Sequence, residues 1–259
     1  MDFLSKNKNN VFIYLIIFIF AGLIIHIYNH SIFNLINGFW PDIFSYPMLF
    51  LTSFADGFFV LIFLTLLYPY RKNEYFSALI AFIVTGIFVQ LIKYYFPMPR
   101  PLSVFPEEDI FILGMQIRTR SFPSGHSTSA MVLAWYLTRT DKTLFKYLFF
   151  SFGALSCLSR VYIGVHFPLD IWVGGWLGFV SSIFFHKYLI KYKIFINRGE
   201  LKSIVINILG VLIVFIYIFF YNEKTKELEF ILTPVTVLLS LYFIYRAIVD
   251  YKFLTKNKA

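Results

Sequence analysis

Tyr75–Pro101, YFSALIAFIVTGIFVQLIKYYFPMPRP, is the stretch that decides the fold. It opens with about 20 mostly apolar residues, enough for one helical crossing of a bilayer. Lys93 stands near the end of that run, and Pro97, Pro99 and Pro101 follow. Each proline lacks an amide donor and disfavours helix at the residue before it, so the helix stops there. A cation at that depth is costly unless it reaches the interface or an anion. Lys93 therefore marks a membrane boundary and a candidate site together.

The same reading extends outward along the chain. Of 259 residues 59% are hydrophobic and 22% aromatic, with a mean hydropathy of +0.72, more than one water-soluble core of that length encloses. Apolar runs read as spans at 11-28, 47-69, 75-95, 124-138, 145-163, 168-186, 204-221 and 230-248. The expected fold class is all-α, a polytopic transmembrane helical bundle. The first run is read as a retained anchor, because it is long and has no small-x-small cleavage site before His26. The single cysteine, Cys157, lies in an apolar stretch and excludes an internal disulfide or a cysteine-based metal cluster.

The net charge of +9 is a topology signal. With the amino terminus in the cytoplasm, the outer segments hold only Lys93, Arg100, Arg118, Arg120, Arg160, Lys224 and Lys226, and the other basic residues fall inside. A nucleic-acid surface would need cations on one accessible face interleaved with exposed aromatics. Here the 34 Phe and 18 Tyr lie mostly within the spans, so no nucleic-acid partner is expected.

Three polar islands interrupt the apolar chain: Lys93 to Arg100-Pro101, Pro123-Ser124-Gly125-His126, and Ser159-Arg160 running to His166 and Asp170. The first closes the third span, the second opens the fourth, and the third joins the fifth to the sixth, so all emerge on one side. Singly, each has an ordinary explanation. Lys93 can snorkel to the interface, Arg100 can be a loop arginine, Ser124 can simply cap a helix, and His166 with Asp170 can be a structural pair. Together they suit a phosphate. Guanidinium groups grip its oxygens in a fork, a helix start with glycine offers free amides and the positive dipole end, and a carboxylate four residues after a histidine fixes its tautomer. The 97–123 connection, with Glu107, Glu108, Asp109, Arg118 and Arg120, is long enough for a substrate lid. Asp56, inside the second span, is an accessory candidate with Arg118 and Arg120. A structural pairing of Asp56 with another helix remains the competing reading.

Lys93-x6-Arg100-Pro101, Pro123-Ser124-Gly125-His126 and Ser159-Arg160-x5-His166-x3-Asp170 resemble, in order and at every position, the three-part signature of the type 2 phosphatidic acid phosphatase superfamily, which also contains vanadium haloperoxidases. The similarity covers about residues 45–190. It implies a six-span phosphatase core over 1–190, with the signature in 93–170, and leaves 191–259 as two additional transmembrane helices and a cytoplasmic tail. It implies that Lys93, Arg100, Arg160, Ser124 and Gly125 hold the phosphate, that His166 is the nucleophile oriented by Asp170, and that His126 is the acid and base. No metal and no cofactor is expected.

A phosphate site at the mouth of a helical bundle suits a phosphorylated lipid whose tails stay in the bilayer. The expected activity is hydrolysis of a lipid phosphate or diphosphate, of the isoprenyl diphosphate, phosphatidic acid, phosphatidylglycerol phosphate or lipid A type, at the outer face of a bacterial-type inner membrane with both termini cytoplasmic. Phosphotransfer to another acceptor and a non-enzymatic anion transporter are the alternatives.

Overall fold

The computed structural model describes residues 8–39, 41–68, 71–114, 116–139, 142–191, 205–212 and 229–256. Those residues form helices and connecting turns, with no strand among them. In chain order the helices are α1 Lys8–Ile27, α2 Asn29–Ile36, α3 Pro41–Phe54, α4 Gly57–Leu67, α5 Lys72–Tyr95, α6 Gly125–Leu137, α7 Thr143–Tyr162 and α8 Pro168–Lys191. A helical stretch at 205–212 and a last helix, Glu229–Lys256, follow.

Three of these, Glu74–Tyr95, Thr143–Tyr162 and Pro168–Leu189, are each long and apolar enough to cross a membrane; counting each bent pair as one span raises the number to five. One expected span is therefore not a single helix. The run at 11-28 is the single helix α1, set off from α2 by a 76° bend, whereas the run at 47-69 breaks between α3 and α4 with a bend of 62°. That break has a local cause. Asp56 takes an extended conformation and accepts a hydrogen bond from Phe58 N at 2.9 Å, capping α4 and ending α3. The run at 124-138 becomes α6, 13 residues long, or about 20 Å at 1.5 Å per residue. It is shorter than the hydrocarbon core because protein surrounds it: Ser127, Thr128 and every residue from Ala130 to Tyr136 are buried. Of the last two expected spans, 205–212 and Glu229–Lys256 are helical, and the rest of 204-221 lies outside the described residues, as do Lys224 and Lys226. Phe243 of the last helix packs on Ile62 of α4.

Helix α6 is the axis of the bundle, packed by α4, α5, α7 and α8. Its closest partner is α8, where Gly174 and Gly178 sit directly on the Ser124 and Thr128 carbonyls, so that a Cβ at either glycine would collide with backbone. This Gly-x3-Gly face brings two helices within backbone contact. Thr128 Oγ1 then donates across the crossing to Gly174 O at 3.0 Å, and Ser124 N donates to Asp170 O at 3.0 Å. Away from the polar islands, Tyr68, Tyr75, Val132 and Tyr136 form an apolar core between α4, α5 and α6, with Tyr136 Oη 2.5 Å from Ser77 Oγ.

The 97–123 connection is a folded, cross-tied segment and not a loose lid. Arg100 N bonds Arg118 O at 3.0 Å, Ser121 N bonds Met98 O at 2.9 Å, and Arg118 Nη1 bonds Leu102 O at 3.0 Å. Asn37 fastens it to the helices: its amide nitrogen donates to Phe111 O at 2.8 Å and to Tyr162 O at 3.0 Å, while its oxygen accepts from Phe111 N. Gly164, with φ +77°, turns the chain from α7 toward His166 in a conformation that side chains rarely adopt, and a Cβ there would meet the Phe111 carbonyl.

Candidate active site

All three polar islands meet at one end of the bundle. Lys93 lies in the last turn of α5, Ser124 caps α6, Arg160 lies in the last turn of α7, and Asp170 lies in the first turn of α8. His166 precedes α8, so the pair four residues apart does not share one helix as the spacing alone suggests. Pro168 starts α8, and Asp170 reaches back to accept from Phe167 N at 2.9 Å and to meet His166 Nδ1 at 3.2 Å. The carboxylate thus fixes the helix start and the ring at once.

Ser121 is a participant that the sequence reading missed. Its hydroxyl donates to Asp170 Oδ2 at 2.5 Å and stands 3.4 Å from His166 Nδ1. It lies two residues before the second island, in a stretch read as lid. A buried hydroxyl between a carboxylate and an imidazole orients both.

Lys93, Arg100 and Arg160 are 6 to 7% exposed, and His166 only 2%. All three cations act electrostatically on both His166 and His126. Burial, then Arg100, Arg160 and Lys93, holds the His166 imidazolium well below the ordinary histidine range, so the ring is neutral at neutral pH with a lone pair to offer.

The cations are also built into the frame. Lys93 Nζ donates to Arg120 O at 2.7 Å and Ser121 O at 3.3 Å. Arg100 donates through Nε to Thr119 O and through Nη1 to Val165 O, each at 2.9 Å, and Arg160 Nη1 donates to Thr52 Oγ1 of α3 at 2.5 Å. Thr52 is a second partner the sequence did not suggest. Arg120 holds φ +59°, a conformation costing on the order of 1–3 kcal/mol in a residue with a side chain. The Lys93 bond to its carbonyl helps to hold it there. Arg120 itself is exposed, and Arg118, also exposed, pairs with Glu107 at 3.7 Å, so the two accessory arginines line the rim and not the pocket.

At the α6 start, Ser124 Oγ accepts from Ser127 N at 3.3 Å and from Ser127 Oγ at 3.0 Å, leaving its own hydroxyl proton to donate. The Gly125 and His126 amides point out of the first turn, where the helix dipole favours an anion. Asp56, 5% exposed, faces His126 across the helix gap, Oδ2 to Nε2 at 3.6 Å. That is ion-pair range and longer than a hydrogen bond. The break that interrupts the second expected span therefore delivers a carboxylate to the second histidine. Both earlier readings of Asp56, structural and functional, find an observation here.

The arrangement has three buried cations against Asp170 and Asp56, an excess of positive charge suited to a multiply charged anion. Two histidines, each with a carboxylate partner, flank it. Such a pocket can hold a phosphoryl group and exchange a proton with what leaves it.

Residues 74–193 match the family described as PAP2 superfamily. An undecaprenyl-diphosphatase of Sulfolobus acidocaldarius is 26% identical over 160 residues, which is 60% of this chain and 77% of that protein. A dihydrosphingosine 1-phosphate phosphatase of Schizosaccharomyces pombe is 29% identical over 147 residues, 52% of this chain and 35% of that protein. The crystal structure of Aquifex aeolicus LpxE is similar with a TM-score of 0.56 at 31% identity, covering 62% of this chain and 95% of that one. A solved relative matched along nearly its whole length, together with a family match that takes in all three polar islands, shows that this chain belongs to the PAP2 superfamily.

Proposed function

We propose that this protein is an integral membrane lipid phosphate phosphatase that works through a phosphohistidine. The observation that carries the reading is the convergence of Lys93, Arg100 and Arg160, all buried, around a neutral His166 whose Nδ1 is held by Asp170. The relatives named undecaprenyl-diphosphatase and dihydrosphingosine 1-phosphate phosphatase supply the substrate class, a phosphate or diphosphate on a lipid.

In this mechanism the cations, the Ser124 hydroxyl and the α6 amides hold the nonbridging oxygens and stabilise charge on the transferring group. His166 Nε2 attacks phosphorus, and an N–P bond forms as the bond to the lipid oxygen breaks. That oxygen takes a proton from His126. Water then attacks the phosphohistidine and gives a proton to His126, and inorganic phosphate departs, leaving His166 as it began. Among the described residues no three His, Cys, Asp or Glu side chains gather as a metal site, and the cations carry the electrostatic load instead. The asymmetry of basic residues supports an active site on the outer face.

Purified protein is expected to release inorganic phosphate from a phosphorylated lipid. Orthovanadate, which adopts the five-coordinate geometry of the transition state, should inhibit, and EDTA should not. Activity lost to EDTA and restored by magnesium would reject the mechanism, and phosphate appearing on an acceptor lipid without release would make it a transferase.

Arg160 and Arg100 act here as forks and not as generic charges. Arg160→Lys and Arg100→Lys keep the charge but lose paired donors, so each should lower turnover on the order of tenfold or more, given charge-assisted bonds of about 1.5 to 3 kcal/mol. Steady-state rates equal to wild type in both variants would leave the arginines with a purely structural role.

A further inference from the structure

The two histidines of the candidate site are held by the same device. Asp170 accepts from Phe167 N at the start of α8 and meets His166 Nδ1. Asp56 accepts from Phe58 N through Oδ1 at the start of α4 and turns Oδ2 toward His126 Nε2. In each case one buried carboxylate closes a helix start and faces a histidine. The second pair is the looser, 3.6 Å against 3.2 Å, and the His126 side chain is a third exposed whereas that of His166 is almost wholly enclosed. Asp56 reaches its place because α3 ends before it, with Ala55 fully buried and a 62° bend into α4. The family match begins at residue 74, so this second carboxylate comes from a part of the chain that the match does not cover.

We propose that Asp56 is the positioning residue of the general acid: its carboxylate orients the His126 ring and balances the charge of its protonated form. The inference rests on the phosphatase reading above and adds how the acid carries its proton beside three cations. Lys93 from α5, Arg100 just beyond it, Arg160 from α7 and the His166 ring ahead of α8 all act electrostatically on His126, and each opposes a further positive charge there. From α4, Asp56 faces the same ring with the opposite sign. At 3.6 Å the carboxylate is within Coulomb reach of Nε2 but beyond a hydrogen bond, so it favours the charged ring without tying up the proton. The proton passes from His126 to the lipid oxygen and returns from the attacking water, so the ring alternates between charged and neutral while Asp56 stays ionised. His166 has the opposite need. It attacks as a neutral ring, and its carboxylate sits closer, shared with the Ser121 hydroxyl.

Asp56→Asn isolates the charge. Asparagine keeps an oxygen for Phe58 N and caps a helix about as well as aspartate, so the variant is expected to fold; Asp56→Ser, which also caps, removes the carboxylate in a second way. The measurement is kcat/KM against pH for a lipid phosphate, phosphatidic acid or farnesyl phosphate in detergent micelles, and for p-nitrophenyl phosphate. In both variants the lipid value should fall on the order of ten- to hundredfold, less than the loss of the acid itself. The alkaline limb of the lipid profile, where the acid gives up its proton, should move about one pH unit lower, the scale for removing one opposite charge at this range. With p-nitrophenyl phosphate, whose leaving group departs without a proton, the loss should be less than about threefold. Asp56→Glu should restore part of the lipid rate and return the limb toward its wild-type position. Equal losses on both substrates with an unmoved limb would leave Asp56 a helix cap only, and wild-type values in both variants would leave it no part in the reaction; each result overturns the proposal. A wild-type protein that hydrolyses neither substrate would instead sink the phosphatase reading itself.

Discussion

His166→Ala should abolish turnover of every substrate, good leaving group or poor, with a loss on the order of 10⁶-fold, the scale for removing a covalent nucleophile. The expectation follows from how the ring is held. The ring is held through Nδ1 by Asp170 at 3.2 Å with Ser121 alongside, is 2% exposed, and is neutral because burial and three cations oppose its protonation. An alanine there leaves a cationic pocket that still binds phosphate, so the variant should retain vanadate or phosphate affinity while forming no phosphoenzyme on rapid quench. Trapping a phosphoenzyme in this variant would move the nucleophile elsewhere in the site.

His126→Ala should behave differently, and the difference is the test. A general acid is worth typically 10²- to 10⁴-fold, and that loss should appear in full with a lipid alkoxide leaving group. With p-nitrophenolate, which departs without protonation, it should shrink, and an acid-labile phosphoenzyme should accumulate because the water step lacks its base. Asp56→Asn removes the carboxylate 3.6 Å from His126 and should reproduce a smaller version of the same pattern. If His126→Ala loses the same factor on both leaving groups, its role is positional and the acid must be sought on another residue.

The residues that come together at the candidate site were legible before the fold because phosphate binding would demand particular residue types at fixed places: the cations at helix ends, the Ser124 cap, the His166–Asp170 spacing. What the sequence hid were contacts made through backbone. That Lys93 and Arg100 hold the carbonyls of Arg120 and Thr119 depends on the path of the 97–123 segment, and nothing in residue type announces it. Ser121 and Thr52 were invisible for a related reason, since a hydroxyl is common and only its neighbours make it matter. The run at 47-69 read as one span because apolar residues on both sides of Ala55-Asp56-Gly57 mask the break. An Asp followed by Gly is nonetheless a helix-start signal, and here it proves to be one. The run at 124-138 matches α6 to within a residue at each end, and what its apolar pattern did not announce was how completely the other helices enclose it.

The crossing of α6 and α8 carries a further implication. Because Gly174 and Gly178 seat directly on the Ser124 and Thr128 carbonyls, the spacing between the start of α6, which carries His126, and the start of α8, which carries Asp170, is written in main-chain geometry. A side chain added at either glycine would push α6 and α8 apart and move the two halves of the candidate site with them, whereas residues on the outer faces of the bundle can change without altering that spacing.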